Sequence, residues 1–192
     1  MHMVFSRRRV VGFTLTELLV VITVVAVIAA LLLPVLAHVR AKSRRIGCVS
    51  RLKNIGLGFR IFATDHQGRF PMLATTNETT LLQFGNDGAP VRYLVALSNE
   101  LSTPTILVCP ADQKRKVATS FRTVQQGNIS YFVGLDTTEL QPDTLLVGDR
   151  NLTTNGRPVK PGLVELTTNL DLGWTSEMHN LQGNVAMGDG SV

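Results

Sequence analysis

Residues 18–37 read LLVVITVVAVIAALLLPVLA, twenty positions without a charge, interrupted only by Thr23 and Pro34. At about 1.5 Å per residue such a run makes roughly 30 Å of helix, enough to cross the hydrocarbon layer of a membrane. A chain holding this segment must find an apolar surrounding for it, so the run divides the 192 residues into an anchor and a remainder. A cleaved secretory signal is the rival reading, because Arg7, Arg8 and Arg9 precede the run. The apolar part of such a signal usually covers only about 7–15 residues and ends at a small-residue cleavage site. Here the run is longer and AHVRAKSRR follows it, so a retained helix over residues 13–37 is expected. Bases flank both ends, and loop charge alone leaves the orientation open.

The net charge of +5 invites a nucleic-acid reading until its distribution is followed. Residues 1–12 hold three arginines and no acid, residues 40–60 hold seven bases and no acid, and residues 61–192 hold nine bases against thirteen acids. The globular part is therefore mildly acidic, and nucleic acid is not an expected partner. The basic stretch after the apolar run suits anionic lipid headgroups better than a DNA groove.

Cys48, Leu52, Ile55, Phe59 and Phe62 recur at spacings of three and four, with Arg51, Lys53, Asn54 and Arg60 between them. This periodicity predicts that the helix continues as an amphipathic segment over residues 38–67. It should stop near His66-Gln67-Gly68, with a glycine in the left-handed position and Phe70-Pro71 unable to extend it. Beyond it lie short apolar runs at residues 92–97, 105–108, 129–133, 144–147, 163–166 and 184–187, separated by Gly, Pro, Asn and Asp. These predict short antiparallel strands, and hence an α+β fold in which a long N-terminal helix packs on a small β-rich head spanning residues 68–192.

At the start of the chain, three arginines lead into Gly12-Phe13-Thr14-Leu15-Thr16-Glu17 and then the apolar run. This arrangement resembles the N-terminal processing and methylation motif of type IV prepilins and type II secretion pseudopilins. Gly12, Phe13 and Glu17 match that motif residue by residue, and Pro34 falls where many pilins carry a proline. The resemblance implies a leader of residues 1–12, cut after Gly12 by a prepilin peptidase that then methylates the Phe13 amine. The chain is then a substrate and not an enzyme, with its leader cytoplasmic and its head outside the inner membrane. The implied partners are the peptidase, inner-membrane lipid, and other pilin or pseudopilin subunits in a filament.

Elementary chemistry explains why such a motif uses these residue types. Gly12 removes the side chain that would obstruct approach to the scissile peptide. An unpaired carboxylate in lipid costs about 2.5 kcal/mol or more, so Glu17 needs a partner. Cleavage creates one, the Phe13 ammonium about 6 Å away along the helix or that of an adjacent subunit. Pro34 removes one helical hydrogen bond at a cost of about 3 kcal/mol, which allows either a kink or local melting during packing.

The helix after the anchor, the stretch Cys109-Pro110-Ala111-Asp112 and the C-terminal His179…Asp189-Gly190 also resemble prepilin-like proteins that carry an H-x9-DG motif. His179, Asp189 and Gly190 are expected to hold turns, with Gly183-Asn184 joining two strands; a metal or ligand site is the alternative. No nucleophile with an adjacent base is legible, so catalysis is not expected. Asp136, Glu139, Asp143 and Asp149 read as solvated loop acids, with calcium as the alternative, because the regular one-three-five ligand spacing is missing. Cys48 and Cys109 either pair as a disulfide in an oxidising envelope or stay as a core thiol and a free one. Together these features predict a pilin-like or pseudopilin subunit without a cofactor; the alternative is a membrane-anchored binding module that does not polymerise.

Overall fold

The computed structural model describes residues 12–73, 90–167 and 169–192, with the Ala37 side chain excepted. The expected leader, apart from Gly12, lies outside the described residues. Helix α1 runs from Leu15 to Asp65 with Pro34 inside it. The chain divides into two compact units, Met1–Arg40 and Ala41–Val192.

In the first unit, the described side chains of α1 are all exposed within the chain, Val25 at 59% and Leu33 at 65% among them. Among the described residues, α1 alone is long and apolar enough to cross a membrane. An apolar surface of this extent needs lipid or other protein to cover it.

In the second unit the same helix behaves differently. Cys48, Leu52, Ile55, Phe59 and Ala63 are fully buried, with Phe62 nearly so, along the stripe that the three-and-four spacing predicts. Phe70 returns against this stripe, its ring meeting Phe59 edge-on at 5.8 Å between centroids. The helix ends as a Schellman turn, in which the Gly68 N–H donates to the Ala63 carbonyl at 2.8 Å. The left-handed C′ residue is Gln67 (φ 61), one position earlier than the glycine expected there.

Among the described residues, six short strands form two antiparallel sheets. β1 (Tyr131–Val133), β2 (Leu145–Asp149) and β6 (Val185–Met187) make one with order β1-β2-β6. β3 (Leu152–Thr154), β4 (Arg157–Pro158) and β5 (Leu172–Trp174) make the other with order β4-β3-β5. Register in the first sheet sets Phe132 opposite Gly148. A Cβ on residue 148 would stand 2.7 Å from the Phe132 ring, so that cross-strand contact requires glycine.

Three of the predicted strands take other forms. Residues 92–97 fall largely within a helix, α2 (Pro90–Ala96), which buries Val91, Leu94 and Val95 at a spacing of three and four and opens on a proline at its first position. Residues 105–108 fall in a 3-10 turn, Pro104–Leu107, capped by the Thr103 side chain. Residues 163–166 take no regular structure, and their side chains are exposed. In their place β3 and β4 form a hairpin through Asn155 (φ 50) and Gly156 (φ 72), the backbone of a two-residue I′ turn.

Candidate functional site

Two places in the molecule concentrate polar chemistry: the start of α1 and the interior of the head. At the first, Gly12 and Phe13 are exposed and precede the helix, so the peptide between them lies outside the α-helical ladder. Nothing lies within 4 Å of where a Gly12 side chain would begin. Thr14 is the N-cap. Its hydroxyl oxygen accepts from the Glu17 N–H at 3.2 Å, while the Glu17 carboxylate accepts from the Thr14 N–H at 2.8 Å and the Thr14 hydroxyl at 2.6 Å. This is a reciprocal capping box, the Thr-x-x-Glu pattern written in residues 14–17.

The box changes the reading of Glu17. Sequence reasoning left its carboxylate without a partner until cleavage frees the Phe13 amine, whereas in the intact chain Thr14 already satisfies it. A negative group also sits favourably at a helix N-terminus, where the backbone N–H groups point outward unpaired. Both bonds from Thr14 end on Oε2, which leaves Oε1 for a further donor. Pro34 is exposed, inside an unbroken α1.

Inside the head, four side chains from distant parts of the sequence converge. They are Cys48 on α1, Cys109 after the 3-10 turn, Asp149 at the end of β2, and His179 in the turns after β5, and their donor atoms all lie within 4.8 Å of one another. Cys48 Sγ donates to Asp149 Oδ1 at 3.0 Å, Cys109 Sγ lies 3.3 Å from His179 Nε2, and that nitrogen is 3.5 Å from Asp149 Oδ2. The Asn184 N–H and side-chain amide both donate to Asp149 Oδ2 at 2.8 Å, and Arg45 Nε donates to the Asn184 side-chain oxygen Oδ1 at 3.3 Å. The Ala111 N–H donates to Cys109 Sγ at 3.4 Å, and the Tyr131 hydroxyl lies 3.7 Å from Cys48 Sγ.

Electrostatics separates the two thiols. Hydrogen bonding with Cys48 pulls Cys109 down to about 6 against the opposing effect of burial, with His179 and the Ala111 N–H assisting. Cys48 moves the other way, driven first by its bond with Cys109 and then by burial and the Asp149 charge. The hydrogen bond with Cys109 raises His179 in spite of burial. Both cysteines are free, with their sulfur atoms within 4.8 Å of each other.

The remaining sequence-predicted positions distribute differently. His179 and Asp189, with nine residues between them in the H-x9-DG pattern, do not meet. Asp189 is exposed, its carboxylate caps the Ser191 N–H at 2.8 Å, and its carbonyl accepts from Arg60 at 2.9 Å. Residues 188–190 thus form the expected turn. Gly183-Asn184 does not join two paired strands, because β5 and β6 belong to different sheets. Asp149 is buried while Asp136 and Asp143 are exposed, so the three weak calcium candidates do not share one environment. Glu139 lies 4.0 Å from Arg60.

A second polar group stands beside the cluster. Arg150 grips Asp112 with two bonds, at 2.7 and 2.9 Å, and Glu177 with two more, at 3.2 and 3.1 Å. Lys114 reaches Glu177 at 2.5 Å and the Ser130 hydroxyl donates to Asp112 at 2.8 Å. Burial works against the charged form of Asp112, but the bonds from Arg150 and Ser130 outweigh it and hold the carboxyl below its ordinary range. Glu177 is lowered first by Lys114 and then by Arg150. Asp112 lies in the Cys109-Pro110-Ala111-Asp112 stretch, and nothing in its spacing to Arg150 or Glu177 signals the partnership.

Comparison with known families matches residues 7–33 to the prokaryotic N-terminal methylation motif. The matched stretch runs from the three arginines through Gly12, Phe13 and Glu17 into the apolar run, and stops before the head. No curated protein and no solved structure matches the chain. The chain thus carries a type IV pilin-like methylation motif on a long apolar helix, followed by a small antiparallel-sheet head in an α+β arrangement. These features are consistent with a membrane-anchored protein.

Proposed function

We propose that this chain is a pilin-like or pseudopilin structural subunit and not an enzyme. In this reading, prepilin peptidase cuts between Gly12 and Phe13 and methylates the new amine. The leader faces the cytoplasm, α1 holds the subunit in the inner membrane, and the head lies outside it. Assembly then packs the apolar flanks of α1 against those of other subunits in a pilus or a secretion pseudopilus. The observation that carries the reading is the methylation motif at residues 7–33 on a helix whose first apolar stretch, residues 15–36, is exposed within the chain. Gly12–Phe13 suits a scissile bond, being exposed and outside the helical ladder. In the assembled state a neighbouring Phe13 ammonium would approach Glu17 at Oε1, with Thr14 still holding Oε2.

Mass spectrometry of the N-terminus of protein isolated from the membrane fraction tests processing. The expected result is a chain beginning at methylated Phe13, and an N-terminus still at Met1 overturns the proposal. Glu17→Ala should be cleaved but poorly incorporated into filaments. An undiminished filament yield would remove Glu17 from the assembly contact and favour the second reading, a membrane-anchored binding module that does not polymerise.

A further inference from the structure

We propose that Cys48, Cys109, Asp149 and His179 form a closed zinc site that ties helix α1 to the first sheet and to two loops of the head. The donor set is two thiols, one imidazole nitrogen and one carboxylate oxygen, all within 4.8 Å of one another. In a tetrahedral zinc site, bonds of about 2.3 Å to sulfur and about 2.0–2.1 Å to nitrogen or oxygen set the donors roughly 3.3–3.8 Å apart. Cys109 Sγ and His179 Nε2 are 3.3 Å apart, and the Asp149 carboxylate approaches Cys48 Sγ at 3.0 Å through Oδ1 and His179 Nε2 at 3.5 Å through Oδ2, all near those edges. Donors lying within 4.8 Å of one another would need to close by at most about 1 Å to reach those edges.

The chemistry of the donors selects the ion. Two sulfurs disfavour calcium and magnesium, which take oxygen ligands, and the mixed sulfur, nitrogen and oxygen set suits a borderline-soft ion without geometric demands. Four protein ligands leave no open position, which is the arrangement of a structural site and not of a catalytic one. Binding releases to solvent the protons still carried by the two cysteines and the imidazole, leaving two thiolates, a carboxylate and a neutral imidazole around the dication.

The surroundings are built to hold such a group. Cys48 and Asp149 are fully buried, Cys109 is 1% exposed and the His179 side chain 3%. Asn184 fixes the Asp149 carboxylate through two donors, and the Ala111 N–H points at Cys109 Sγ, as outer partners of metal ligands do. Burying a carboxylate beside two thiols is unfavourable without a compensating charge, and a divalent ion supplies it at the centre of the group. The four ligands come from four separate segments, so a single ion would cross-link chain that no regular sheet pairing joins.

The test uses the full-length chain in detergent, stripped with a chelator under reducing conditions and then reloaded with zinc or cobalt. Elemental analysis should return about one zinc per chain. The cobalt form should show a tetrahedral spectrum with thiolate-to-cobalt charge transfer, and the chelator should lower the melting temperature of the head. The Cys48→Ser and Cys109→Ser variants should each lose part of the charge-transfer band. Asn184→Ala should weaken zinc affinity by about 10–100-fold while leaving the ligands in place. Asp189→Ala should bind as the parent does, since Asp189 lies outside the cluster. Stripped, reduced parent protein that takes up neither metal overturns the site. So does a cobalt spectrum without thiolate character, or zinc retained by a variant lacking both cysteines.

Discussion

Helix α1 is one element with two opposite relations to its surroundings. Over residues 15–36 every side chain is exposed within the chain, whereas from Cys48 to Ala63 one stripe is buried against the head. Both stretches are helical, so helix propensity does not separate them. What separates them is pattern. The first stretch is apolar on all sides and finds its cover outside the chain; the second alternates apolar and polar residues at helical spacing and finds its cover within it. The stability of the head is thus written in residues 48–63 and not in the anchor before them.

Four experiments sharpen that contrast, beginning with the largest effect. Phe59→Ala removes a fully buried ring from the core and should destabilise the head by about 3–5 kcal/mol, measured by chemical denaturation in detergent. Val25→Ala, in the same helix, should change that value by no more than about 0.5 kcal/mol. Comparable losses at the two sites would break the distinction. Arg150→Met strands Asp112 and should cost about 2–3 kcal/mol, with the head again the part affected.

That ion group also sets an acid limit. Asp112 and Glu177 titrate below their unfolded values of 3.8 and 4.5, so their contribution is complete above those values and is lost as pH falls through the lowered folded values. The parent head should lose stability on acidification through that range, and Arg150→Met should lose less over the same range. An identical slope in both would remove the ion group from the account. A smaller loss than those in the head belongs to the start of α1. Thr14→Ala deletes the capping hydroxyl and should cost about 1 kcal/mol, visible as faster amide exchange in the first turn with the head unchanged.

The sequence made the two relations of α1 legible because both are periodic: an uncharged run of twenty, then a stripe at threes and fours. It also carried two local signals that sequence reasoning passed over. Thr14-x-x-Glu17 is a capping box and Asn155-Gly156 is a hairpin turn, and each rests on residues no more than three apart. Residues 92–97 were misread for a physical reason: a short apolar run fits a strand or a helix, and Pro90 opening a buried three-and-four pattern decides for the helix. The head cluster was illegible for another reason. Cys48, Cys109, Asp149 and His179 are 30 to 61 positions apart in succession, and their meeting depends on tertiary packing that no local pattern encodes. The C-terminal spacing drew attention to His179 and Asp189, but it carries no signal that His179 lies against Asp149.

The order of the ligands along the chain has a consequence for when the head can close. Its first sheet pairs β2 with β6, and Asp149 is fixed by Asn184, so early segments depend on residues beyond 178 for their partners. Contacts spanning more than a hundred positions form slowly, because a large loop must be brought together before any of them is rewarded. Until the late segments arrive, residues 48–63 have an apolar stripe and no sheet partner to complete it. A head of this topology cannot complete its first sheet before β6 is available to β2.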